Sequence, residues 1–191
     1  MTITAADLKD RRTAAQHGDA EHPRETDRLK ARLAKVRDRR VPFYLSRDEF
    51  LAICRWKLAD QYARSAAALE SSGEKRVKRT TQLAFACRDK DAAFELAGRV
   101  TILRLLPGVG IGLATAILAL CYPKRYAALD AAVWQAVFDE PRKALELAEY
   151  ARFLTRIEEL TAEARKVDPK GKWTVQLTGY YAGDQSEAAR A

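Results

Sequence analysis

Leu105-Leu106-Pro107-Gly108-Val109-Gly110-Ile111-Gly112-Leu113-Ala114 is the stretch whose reading decides the fold. It stands between two apolar helical segments, and after the second of them the chain reads Leu129-Asp130. A proline and two glycines within four residues end the first helix and permit a tight hairpin, because glycine enters φ > 0 without steric cost. The second helix then starts near Ile111 with no bulky side chain ahead of it. The first N–H groups of a helix have no intrahelical acceptor, so a turn of this kind joined to a helix N-terminus makes an anion site. Aspartate is a good N-cap, and Asp130 stands at the start of the next helix.

These residues resemble the helix-hairpin-helix DNA glycosylase superfamily. Leu106, Pro107, Gly108, Val109 and Gly110 match its hairpin, Ala114 to Cys121 match its apolar helix, and Asp130 falls where its aspartate stands. Outside this segment the resemblance rests on helical character and size. It implies a multi-helix all-α domain containing the helix-hairpin-helix motif. It also implies binding of double-stranded DNA through Pro107, Gly108, Val109, Gly110 and Gly112, with base excision repair as the setting. In such an enzyme Asp130 faces a flipped nucleotide, stabilises the cationic sugar and helps water to attack. The departures are specific. Members that also cut the strand carry a lysine where this chain has Gly112, which cannot form an imine. Many members have Thr-His after the aspartate and an arginine three residues later, at positions held here by Ala131, Ala132 and Gln135. An iron–sulfur cluster needs four cysteines, and the chain has three. The resemblance therefore implies base removal without strand cleavage. Two rival readings stay open: a helix-hairpin-helix DNA-binding protein without catalysis, with Asp130 only a cap, and a hairpin used for protein contact.

Composition agrees with a polyanionic partner, since the 191-residue chain carries a net charge of +8 and a pI near 9.5. A hydrophobic share of 48% suits a globular domain with a proper core. No apolar run reaches the roughly 18 residues of a membrane span, so no membrane partner is expected, and the N-terminus lacks a signal pattern. Cys54, Cys87 and Cys121 are scattered and read as reduced thiols in a cytoplasmic protein. No His, Cys and Asp spacing suggests zinc, His17 and His22 lie in the N-terminal tail, and no cofactor is expected. By analogy with the family a monovalent cation at the hairpin carbonyls remains open.

Along the chain, residues 1–27 read as a mobile polar tail or a loose helix and 28–40 as a basic helix, together a charged N-terminal region ahead of a helical domain at 41–191. Ser46 and Glu49 have capping-box spacing, opening a helix from Phe50 to about Ala63. Further helices are expected over 74–90, 90–106, 112–121, 130–140 and 141–167, with a short final element at 173–181. Ile102 and Leu105 are expected to pack on Ala116, Leu118 and Leu120. Lys75, Arg76, Lys78 and Arg79 form a basic patch, which is either a solvated helix face or a DNA-backbone contact. Lys124 and Arg125 suit a helix C-terminus. Trp56, Tyr122 and Trp134, with Tyr126, are candidates for a base pocket, because flipped bases stack on aromatic rings, although such residues also fill cores.

Overall fold

The computed structural model describes residues 2–17, 21–142 and 144–183, with the side chains of residues 17 and 21–23 outside the description; the expectations for His17 and His22 lie there. Ten α-helices and one 3₁₀ turn account for its order, and no strand occurs among the described residues. They are α1 (Ala5–His17), α2 (Glu21–Arg39), α3 (Arg47–Leu58), the 3₁₀ turn Ala59–Gln61, α4 (Tyr62–Glu70), α5 (Glu74–Ala86), α6 (Ala92–Leu103), α7 (Ile111–Cys121), α8 (Ala131–Phe138), α9 (Leu147–Val167) and α10 (Val175–Ala182).

The centre is α7. Its sequence, IGLATAILALC, holds no charge, and every residue from Leu113 to Cys121 is buried. A helix that is apolar all round has no solvent face and must be surrounded. Here α2, α3, α6 and α10 surround it. The capping box at Ser46 forms as its spacing predicts: the Glu49 N–H donates to Ser46 Oγ at 3.2 Å, and the Ser46 N–H donates to Glu49 Oε2 at 2.8 Å. Helix α3 stops earlier than the expected Ala63, because Ala59 takes φ 45° and the chain turns into α4. One polar knot ties α6 to its surroundings. Buried Glu95 faces Arg99 at 3.0 Å, Arg125 at 3.1 Å and Arg88 at 3.6 Å. Arg125 is therefore held by a carboxylate.

Three expectations need correction. Of the two readings of residues 1–27, the structure shows the helix, docked rather than loose, across their described part. Helix α1 packs on α9 and α10, with Leu8 fully buried, and α2 packs on α7 and α3 through Leu29 and Leu33. The high charge density of the segment conceals a few well-spaced apolar anchors, which share the core of the region beginning at residue 41. The long helix begins at Leu147 rather than Pro141, where Glu146 and Glu149 make a capping box of their own. Leu105 points outward and is 60% exposed, while Leu103 and Leu106 supply the packing expected of it.

The N-terminal correction is testable. Leu8→Ala should cost about 2–5 kcal/mol, the usual penalty for truncating a buried leucine, measured by urea denaturation. A loss below about 1 kcal/mol, typical of surface changes, would show that α1 is only loosely attached.

Candidate nucleic-acid interface and carboxylate site

The Pro-Gly turn is type II. Val109 N–H donates to Leu106 O at 3.1 Å, Pro107 occupies the second position, and Gly108 occupies the third at φ 76°. Proline presets φ at its position and glycine is required at the next, so the sequence and the turn fit residue by residue. A Cβ on Gly108 would also lie 3.1 Å from Leu69 and 3.2 Å from Ala68 on α4. Gly110 differs. Its φ is −84°, and nothing stands within 4 Å of where a Cβ would be. It caps α7 without a side chain, and the first intrahelical donor is Ala114, to Gly110 O at 3.0 Å. The N–H groups of Ile111, Gly112 and Leu113 thus precede the first helical bond, at a helix end whose dipole favours an anion.

Gly112 plays a packing part. A Cβ there would meet Leu129 O at 3.3 Å, so its bareness lets the segment before Asp130 lie against the first turn of α7. Thr115 fixes the approach. Its hydroxyl donates to Gly112 O at 3.0 Å and accepts the Leu129 N–H at 3.0 Å. From the other side, the buried Tyr150 hydroxyl donates to Ala127 O at 3.0 Å.

Asp130 follows directly, half-buried beside the start of α7. It is the N-cap of α8, with Oδ1 accepting the Val133 N–H at 2.8 Å. Oδ2 meets Lys57 Nζ at 2.5 Å, brought in by the last turn of α3. Burial works against the carboxylate charge, but the Lys57 ammonium and the N–H groups of Val133 and Ala132 outweigh it. The carboxyl therefore stays below its ordinary range and is ionised at neutral pH.

Lys75, Arg76, Lys78 and Arg79 are all exposed on α5. Arg76 donates to Leu105 O at 2.7 Å, which sets this helix beside the hairpin. Lys78 lies over the Tyr44 ring at 4.4 Å. The base-pocket candidates do not gather at Asp130. Trp56 is buried and donates its Nε1–H to Thr26 Oγ1 at 2.8 Å. Trp134 is fully buried against Phe138, with Arg152 and Arg142 over its ring. Tyr122 caps the far end of α7 and joins Phe43, Phe85 and Tyr126 in an aromatic cluster. Each ring fills the core, where apolar area gains most by leaving water. The carbonyls of Leu103, Leu105 and Leu106 already accept Leu106 N–H, the Arg76 guanidinium and Val109 N–H. Each of these carbonyls keeps a second lone pair beyond the hydrogen bond it accepts. Among the described residues no group of three or more His, Cys, Asp or Glu side chains could hold a metal ion, and no helix is long and apolar enough to cross a membrane.

Sequence reasoning missed Lys57, Thr115 and Leu105. Lys57 carries no local signal, since its partner is 73 residues away. Thr115, the one hydroxyl in an otherwise apolar helix, is a visible signal. No family model, no curated protein and no solved structure matches the chain.

The Lys57–Asp130 pair makes a pH prediction. A carboxyl whose folded pKa lies below its unfolded value of about 3.9 stabilises the fold above that value and ceases to do so as pH falls through the folded one. Lys57→Met leaves the half-buried carboxylate with burial opposing its charge. The variant should lose about 1–2 kcal/mol at pH 7, between the costs of breaking exposed and buried pairs. Urea titrations at pH 7 and pH 3 should show a smaller loss at the lower pH, nearer to where the carboxyl protonates. An equal loss at both would assign the effect to packing of the lysine stem.

Proposed function

We propose that this protein binds duplex DNA through the 106–113 hairpin and the basic face of α5, and hydrolyses the N-glycosidic bond of an extruded base with Asp130. The observation that carries the reading is the placement of Asp130. Thr115 and Gly112 hold Leu129, the residue before an ionised Asp130, against the first turn of α7, so the carboxylate follows directly on a segment packed at a helix end suited to a phosphate. Arg76, docked at Leu105, and the exposed Arg104 add positive charge next to the turn.

In the reaction the C1′–N bond breaks with its electron pair leaving on the base, and positive charge spreads over C1′ and the ring oxygen. Asp130 opposes that charge and accepts a proton from the water that attacks C1′. Lys57 keeps the carboxylate ionised before substrate arrives. With Gly112 in place of an amine, the product strand is expected to stay intact at the abasic site. Lys57 is the amine on which a borohydride-trapped adduct would be found if the chemistry proceeds through an imine instead.

The non-catalytic DNA-binding reading is favoured by one observation: both carboxylate oxygens of Asp130 are engaged, one by Val133 N–H and one by Lys57. Two variants separate the readings. Asp130→Asn should retain duplex affinity and fold, since asparagine caps helices about as well as aspartate. It should lose base release by a factor of at least about 100, the scale of losing a group that acts on transition-state charge. Base release over a panel of modified duplexes measures this, and no release from any duplex by the wild type selects the non-catalytic reading. Gly110→Leu should fold normally, because its backbone is unstrained and the space is open, yet weaken duplex binding at least tenfold in fluorescence anisotropy. Unchanged affinity removes the hairpin from the interface. Gly108→Ala serves this test poorly, because positive φ alone costs a non-glycine residue about 1–2 kcal/mol.

A further inference from the structure

Helix α2 buries Thr26, Leu29 and Leu33 and turns Arg28, Arg32, Lys35 and Arg39 to solvent. These four stand at i, i+4, i+7 and i+11, which places them within about 60° of arc along about 16 Å of helix. None of the four makes an ion pair among the described residues, whereas other cations of the helix are engaged: Lys30 with Asp27 at 2.8 Å, and Arg37 with Cys121 O at 2.7 Å. Arg28 and Arg32 also line a cleft of about 320 Å³ between α2 and α3, closed by Glu25, Leu29, Ala52 and Arg55. Three guanidiniums against one carboxylate leave the cleft positive. Arg55 is only loosely held, 3.7 Å from Glu70.

Helix α2 is tied to the helix that carries Lys57. Trp56 Nε1–H reaches Thr26 Oγ1 at 2.8 Å, pinning the start of α2 to the end of α3, where the next residue, Lys57, meets Asp130. Arg28 follows Thr26 by two residues on the same helix.

We propose that the outer face of α2, with the α2–α3 cleft, is a second contact surface for the phosphodiester backbone of duplex DNA, separate from the hairpin. The inference rests on the DNA-binding reading and extends it to a helix outside the hairpin segment. Clustered cations without acidic partners remain hydrated until they meet an anion. A linear row of them suits a polyanion with charges at regular spacing, whose condensed counterions are released on contact. The arginines have the forked geometry that matches phosphate oxygens, and Ala52 leaves the floor of the cleft open to them. Phosphate contacts of this kind fix orientation and carry no sequence information.

The experiment measures affinity of the full chain for one 20-base-pair duplex across a salt series. Two charge-matched pairs are compared: Arg28→Gln/Arg32→Gln on the stripe, and Lys166→Gln/Lys170→Gln, exposed residues at the end of α9 and just beyond it. Each lost phosphate contact should lower the log–log salt slope by about 0.9. The stripe pair is expected to lower it by about 1.8, with its affinity converging on the wild-type value as salt rises, while the control pair leaves the slope unchanged. Parallel salt plots for wild type and stripe pair overturn this proposal. So does an equal fall in the control pair, because the stripe then acts only through net charge. Absence of duplex binding by the wild type overturns the DNA reading itself. Duplex binding that Gly110→Leu weakens and the stripe pair does not leaves that reading standing and removes α2 from it. All four substituted side chains are exposed, and circular dichroism checks that each variant is folded.

Discussion

The constraint at the centre of this molecule is the need to bury α7. An eleven-residue helix with no charged side chain cannot lie on a surface, and burying side chains of the Leu and Ile size stabilises by about 1.5–3 kcal/mol each. The neighbouring helices are amphipathic because each supplies one wall. Once all sides of α7 are covered, its N-terminus is the end that reaches solvent, at the uncapped Gly110. The N–H groups ahead of the first helical bond there follow from burying the helix without giving it a side-chain cap.

The same constraint positions the carboxylate. Thr115 is buried among apolar residues, and a buried hydroxyl needs partners. It finds them in Gly112 O and Leu129 N–H, and so brings the chain leading to Asp130 against the first turn of α7. The hydroxyl costs little because both of its bonds are made, and it converts a packing contact into a fixed geometry. Gly112 completes the arrangement by leaving room for Leu129 O.

What the sequence disclosed follows from how local each feature is. The tight turn was legible because a proline and glycines stand together there, although only Gly108 takes the positive φ open to both glycines. The caps at Ser46 and Asp130 were legible because their partners lie three residues away. Helix ends near Ala59 and Leu147 were less so, since a break at a non-glycine residue is set by packing rather than by a breaker. Lys57 was hidden because its role depends on where α3 ends in space. The aromatic candidates misled for a related reason: Trp56 and Trp134 have the chemistry of base stacking, but burial decides whether a ring is available, and burial is a tertiary property. The charges of the first forty residues concealed their folding in the same way, because a few apolar residues at the right spacing are enough to dock a helix.

Net charge alone does not locate an interface, because many of the arginines are already committed. Arg99 and Arg125 serve Glu95, Arg40 serves Glu49, and Arg152 serves Glu140 while lying over Phe138. Setting those paired cations aside, α5 and the outer face of α2 are among the places where cations without carboxylate partners gather. Lys57 stands between these two categories. In the free protein it neutralises Asp130 and keeps that carboxylate ionised. Under the proposed function, action of Asp130 on a cationic sugar would require the ammonium to release Oδ2.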